Sequence, residues 1–174
     1  MDTNARTQQR EPLICSDMKR SIRSRLVALM ILIAFTSNAA WELAQCRLYV
    51  LSAHGLFASH VWGCLLGAAG DVVLLALSFL ATAAAVKSLR WPLRPHFALP
   101  TALFVAIGLV ATVAVERWAQ STGLWSYAET MPTVVGVGVA PALQWVVIPM
   151  LMVWLVRAIQ PGGRGAPRAL AQNA

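Results

Sequence analysis

The sequence predicts an all-α polytopic membrane protein built as a four-helix transmembrane bundle, and three observations lead there. Of its 174 residues, 58% are apolar and only 12% charged. Soluble domains run near about 45–50% apolar and about 25% charged, and a chain this small could not hide so much apolar surface from water. The apolar residues also gather into four blocks, each near the roughly 20 residues that cross a hydrocarbon core about 30 Å thick. Finally, the basic residues fall between the blocks and at the two ends, as membrane topology signals do.

Residues 1–25 are polar and basic and are expected to form a flexible cytoplasmic tail. Within it, Met18 opens the run Met-Lys-Arg-Ser-Ile-Arg, which has the look of a natural start. The membrane domain is expected over 26–157. Its first span, about 26–46, is long enough only if Asn38, Glu42 and Gln45 belong to the helix. A secretory signal peptide is the rival reading, with Leu26–Phe35 as its apolar core and Ser37, Asn38 and Ala39 as small residues at a cleavage site. Cleavage there would leave a membrane protein of three spans.

The second span, about 60–86, is longer than a crossing needs, so tilt or a cytoplasmic extension is expected. Pro92 and Pro95 then stand where a helix restarts, and the third span follows at about 97–116. The fourth, about 134–156, contains Pro141 and Pro149, so a kinked or locally unwound helix is expected. Residues 158–174, with Pro161, Gly162 and Gly163, read as a disordered cytoplasmic tail.

Orientation follows from Lys and Arg. From the N-terminus onward, the segments between spans hold six, one, three, one and three of the 14. This alternation places the N-terminus, the middle loop and the C-terminus in the cytoplasm of a cell with an inner membrane. Trp118, Trp125 and Tyr127 by the outer loop, with Trp91 and Trp154 near the inner boundary, make aromatic belts.

Each span carries a polar or small face. His60, Cys64, Gly67, Asp71 and Ser78 share one stripe of the second helix at about 100° per residue. Asn38, Glu42 and Gln45 share a face of the first. Thr101, Gly108, Thr112 and Glu116 do so in the third, and Gln144 is the strong polar group of the fourth. Asp71 and Gln144 are expected near mid-membrane, with Glu42 and Glu116 further out. If these faces turn inward, they meet in one pocket in the outer half.

An ionisable group at the bilayer centre costs at least about 2.5 kcal/mol on insertion scales. No Lys or Arg lies inside a span to offset Asp71. Asp71 must therefore be protonated, bind a cation, or bond to neighbours such as Gln144. The candidate ligand-binding residues are Asp71, Glu42, His60, Gln144, Asn38 and Glu116. The plainer alternative is that they hold helices together, and Gly67, Gly70 and Gly108 permit close helix contact on their own. Glu116 and Glu129 read as interfacial, and His54 and His60 as outer-surface residues.

Net charge is +7, yet no basic stripe interleaves with aromatics in a polar domain, so nucleic acid is not an expected partner. Cys15, Cys46 and Cys64 allow at most one internal bridge, and Cys64 reads as a small buried hydrophobe. The spacing of His60, Glu42 and Asp71 matches no standard zinc pattern, so no metal site is expected. No serine triad, phosphate-cradling loop or nucleotide fingerprint is present, and no cofactor is implied.

The run Gly123-Leu124-Trp125-Ser126-Tyr127, then Met131-Pro132, Gly136, Gly138, Pro141 and Gln144, resembles uncharacterised small four-span bacterial inner-membrane proteins. More faintly it is similar to membrane carotenoid cyclases and hydratases, in which an aromatic motif precedes a Gly-rich span entry and a proline. The cyclase pattern places paired acids just after the proline, where this chain has Ala142, Leu143 and Gln144. The function expected from the residues is binding or transport of a proton, cation or small ligand at an outward-facing polar pocket. The alternatives are a membrane enzyme acting on an isoprenoid, carotenoid or lipid, and an accessory subunit of a membrane complex. The lipid bilayer is the expected surrounding, with a second copy or another membrane protein as company.

Overall fold

The structure is a computed structural model. It describes the backbone of residues 3–51 and 60–159 and the side chains of 24–50 and 61–159. His54, the His60 side chain, and residues 160–174 of the expected C-terminal tail lie outside the described residues.

Four helices make the bundle: α1 (Thr3–Gln45), α2 (His60–Ala85), α3 (Ala98–Ser121) and α4 (Val139–Ile159). All four contain a stretch long and apolar enough to cross a membrane. Each packs on the next in chain order, and α1 closes the ring against α4. Large apolar side chains such as Leu32, Val73, Leu99, Val110 and Met150 point away from the protein. That outer face suits lipid and would be unusually large for a water-soluble surface.

The core is densest at the end of the bundle where α2 turns into α3. Trp91, in a short 3₁₀ turn at Trp91–Leu93, is fully buried against Phe79 and Phe104, with ring centroids 5.6 and 5.7 Å apart. Arg157, at the end of α4, donates to the carbonyl of Pro92 at 2.6 Å and lies 3.7 Å over the Phe97 ring. Its cation thus satisfies loop carbonyls while its face stacks on an aromatic. Halfway up the bundle, a Cβ on Gly108 would fall inside the Trp145 ring, so α3 and α4 approach as closely as only glycine allows.

The opposite end carries four short strands that the apolar pattern does not announce. β1 (Tyr49–Leu51) pairs antiparallel with β2 (Trp125–Tyr127), in the register Tyr49 to Tyr127 and Leu51 to Trp125. β3 (Thr133–Val134) and β4 (Val137–Gly138) form a hairpin.

Four expectations are corrected. The segment expected as a flexible N-terminal tail is helical backbone from Thr3, continuous with the first span. The third span runs to Ser121 rather than 116. The fourth helix starts at Val139, because 134–138 is taken up by the hairpin. Val135 and Gly136, with φ of 51° and 72°, make the two-residue turn that such hairpins require. Positive φ is costly for a β-branched residue, and the Arg117 guanidinium holds the Val135 carbonyl at 2.6 Å. Pro141 therefore sits in the first turn of α4, where the missing N–H costs nothing, and only Pro149 is interior to a helix that stays continuous. The fourth correction concerns Cys64, which is disulfide-bonded to Cys46 and ties the strand end of α1 to that of α2.

Candidate functional site

The polar faces of α1, α2 and α4 meet near the strand end of the bundle. Gln144 is the hub, with 2% of its surface exposed. Its Nε2 donates to Asp71 Oδ2 at 2.7 Å and to Asn38 Oδ1 at 2.9 Å. Its Oε1 accepts from Gln45 Nε2 at 3.2 Å. Gln45 Nε2 also donates to Glu42 Oε1 at 2.9 Å, and Asn38 Nδ2 donates to the Ala34 carbonyl at 2.8 Å. The helical spacing explains the geometry. Asn38, Glu42 and Gln45, four and three residues apart, stack on one face of α1, and that face is turned to α2 and α4.

Glu42 and Asp71 are brought together across the α1–α2 contact: Glu42 accepts from Gln45, Asp71 accepts from Gln144, those two amides bond to each other, and both acids border the same cavity. Two carboxyl groups gathered at one site away from water do not both readily ionise, so a shared proton is the ordinary arrangement for such a pair. Glu42 packs against Gly67, its Oε2 lying 3.4 Å from where a Gly67 Cβ would stand, an ordinary contact distance.

A second polar centre lies one layer toward the strands. Glu116, read from sequence as interfacial, is instead 6% exposed. Its Oε1 accepts from the Tyr49 hydroxyl at 3.1 Å, and its Oε2 from Trp125 Nε1 at 3.1 Å and the Tyr127 hydroxyl at 2.8 Å. Tyr127 in turn accepts from the Gly138 N–H at 2.9 Å, which anchors the hairpin. The strand register makes this possible. Trp125 and Tyr127 are two apart and so face the same way, and Tyr49 lies opposite Tyr127. Burial, and then the nearby Glu116 charge, raise the Tyr49 hydroxyl well above the usual tyrosine range. Burial also pushes the Tyr127 hydroxyl up to about 12, partly opposed by its bond from Gly138.

Both centres border one cavity of about 290 Å³. Glu42, Asp71, Glu116, Thr112 and Gln144 supply its polar lining. Trp118, Trp125, Trp145, Tyr49 and aliphatic residues such as Leu66 and Leu74 supply the rest. Cys46 and Cys64 also border it, so the disulfide fixes part of its rim.

Of the six residues singled out from sequence, Asn38, Glu42, Asp71 and Gln144 come together in the hydrogen-bonded network. Glu116 lines the same cavity from α3, while His60 begins α2 with its side chain outside the description. Because α4 starts at Val139, Gln144 lies about 8 Å along that helix rather than at mid-span. Asp71, about 16 Å along α2, stays near the middle of its helix, so the network reaches from mid-bundle toward the strand end. Gln45 is legible from sequence as part of the polar face of α1, Tyr49 is not singled out there, and Trp125 and Tyr127 read as belt aromatics. The alternation Trp-Ser-Tyr was the available signal, since a two-residue period puts both rings on one side of a strand.

Fold and site together define a small helical membrane protein with an acid-lined, aromatic-walled cavity near one end of its bundle. Comparison with family models, curated proteins and solved structures finds no match.

Proposed function

We propose that this is a multi-pass inner-membrane protein that binds a small ligand or cation in the cavity between Glu42, Asp71, Glu116 and Gln144. The observation that carries the reading is convergence. Polar side chains of α1, α2 and α4 bond across the helix contacts, and Glu42, Asp71, Glu116 and Gln144 line one cavity. Polar glue between helices would need the hydrogen bonds but not the cavity. A concave, mostly apolar space with a few convergent polar groups is the usual form of a small-molecule site.

The orientation proposed has both termini in the cytoplasm and the cavity toward the outer side. Two features support it. Basic residues alternate along the chain in the order six, one, three, one, three. The Cys46–Cys64 disulfide would then face an oxidising compartment, where such bonds persist.

The test uses Gly70, which borders the cavity and has nothing within 4 Å of the position of an added Cβ. Gly70 is exposed where it borders the cavity, so Gly70→Phe adds bulk on that open side and narrows access while leaving every acid in place. Small amines, alcohols and inorganic cations screened by thermal shift should include at least one saturable stabiliser of the wild type that Gly70→Phe no longer recognises. A response to none, or responses that Gly70→Phe leaves unchanged, would overturn the reading.

A second reading rests on the Glu42–Asp71 pair. A carboxylic acid bordering a mostly apolar cavity is placed to act as a general acid toward a buried double bond or lipid headgroup. Lipid and carotenoid profiles of cells with and without the gene test it, and an unchanged profile counts against it.

A further inference from the structure

The lining of the cavity selects among ligands. Glu42, Asp71 and Glu116 are the acids within the four candidate spans Ser24–Leu48, Val61–Ala85, Ala98–Ser121 and Val139–Ile159, and all three border it. No Lys or Arg does so among the described residues. An anion would meet uncompensated negative charge in a site shielded from water, where such charge acts over the longest range. A bare inorganic cation needs several oxygens gathered around one point. Among the described residues no three His, Cys, Asp or Glu side chains are grouped in that way.

The walls point the same way. Trp118, Trp125, Trp145 and Tyr49 border the space that the acids face. Aromatic faces attract ammonium groups, tryptophan most strongly, and the attraction grows when the cation is desolvated. Aliphatic residues beside them would cover alkyl substituents.

Thr112 adds an independent observation. It borders the cavity and is 6% exposed, yet its hydroxyl has no hydrogen-bond partner. A threonine inside a helix ordinarily bonds back to a carbonyl one turn earlier. Thr82 does so to Ser78 at 2.9 Å and Thr101 to Phe97 at 2.7 Å. A buried polar group left without a partner is costly unless something else satisfies it. The Thr112 hydroxyl is therefore suited to meet a polar atom of a bound molecule.

Resting on the pocket reading above, we infer that the cavity binds a small organic ammonium ion and that the Glu42–Asp71 pair releases its proton as the cation enters. The charges balance. Before binding, the pair carries one proton and one negative charge. After binding, two carboxylates face one ammonium, and the proton has passed to water on the strand side. No covalent bond forms. The net charge of the site is the same in both states, so the buried region never carries an extra unpaired charge.

The groups facing the pair are few. α3 contributes Glu116, and the residues beyond α1 contribute Tyr49, which lies against both Glu116 and Glu42. β2 contributes Tyr127 through Glu116. α4 contributes Gln144, which does not titrate. The His60 side chain at the start of α2 is outside the description. Wherever about one proton leaves per cation bound, apparent affinity rises about tenfold per pH unit.

The experiment compares choline with 3,3-dimethylbutan-1-ol, its uncharged carbon isostere, on the purified full-length protein in detergent micelles. Binding is read by tryptophan fluorescence, and proton release by a pH indicator in weakly buffered medium. Choline should bind saturably and at least about tenfold more tightly than the alcohol, releasing about one proton. Asp71→Asn, and Glu42→Gln as a second variant should the first fail to fold, should abolish proton release. Each should also weaken choline by roughly tenfold and leave the alcohol unaffected. Alcohol binding equal to choline binding, both blocked by Gly70→Phe, would overturn the ammonium inference while the pocket reading stands. Choline binding without proton release would overturn the proton coupling. Binding of neither probe would overturn the ammonium inference while the wider screen still decides the pocket, and binding indifferent to Gly70→Phe would remove both.

Discussion

Replacing Gln144 with leucine removes the hub of the polar network while keeping the side chain's approximate volume. The substitution deletes the donor to Asp71, the donor to Asn38 and the acceptor for Gln45. Gln45 keeps its bond to Glu42 and its bond from Trp41 at 3.2 Å, so it suffers least. Asp71 Oδ2 and Asn38 Oδ1 are left facing an alkyl group. Hydrogen bonds between membrane helices contribute about 0.6–2 kcal/mol each, so the three together amount to about 2–6 kcal/mol. Leucine recovers little in return, because lipid already provides an apolar surrounding and no hydrophobic gain comes from turning inward. Reversible unfolding in mixed micelles with increasing dodecyl sulfate, followed by circular dichroism, measures the loss. A loss below about 0.5 kcal/mol, the range of an ordinary surface change, would refute the claim that Gln144 joins three helices.

Gly108→Ala sets a methyl group into the Trp145 ring and should cost about 1–3 kcal/mol in the same assay, with a shift in tryptophan emission. Replacing both Cys46 and Cys64 with serine should lower stability by about 3 kcal/mol, given a loop of 18 residues, and reductant should do the same to the wild type. Because burial holds the Tyr127 hydroxyl at about 12, the folded state keeps a proton that the unfolded chain loses near 10. The Tyr127 contribution to stability should therefore be constant below about pH 10 and be lost as pH rises between about 10 and 12, and thermal melting of the wild type against Tyr127→Phe across that range checks the sign.

Much of the fold was legible because lipid imposes simple rules. Apolar blocks near span length became α1 to α4, and the inward faces followed from residues three and four apart, as with Asn38, Glu42 and Gln45 on α1. The hairpin that displaced the start of α4 was hidden because Val134, Val135 and Val137 count as apolar in any hydropathy window. Only the pair of glycines at 136 and 138 hinted at a turn. The Glu116 site was hidden for a different reason. Its donors come from β1 and β2, which are 74 or more positions apart in the chain and meet only through strand pairing. The disulfide was likewise illegible, since nothing in the spacing of Cys46 and Cys64 shows that two helix ends stand side by side.

A double-mutant cycle on Asp71 and Gln144 tests most directly whether acid and amide from separate spans meet in a shielded interior. Asp71→Ala, Gln144→Ala and the double variant are unfolded under identical conditions, and Asp71→Ala with Trp154→Ala serves as the distant control. The bond of 2.7 Å between the two side chains predicts a coupling of about 1 kcal/mol, with the control pair additive. Additivity of Asp71 and Gln144 to within about 0.3 kcal/mol would mean that the two side chains do not meet, and the cavity with its ligand would go with them.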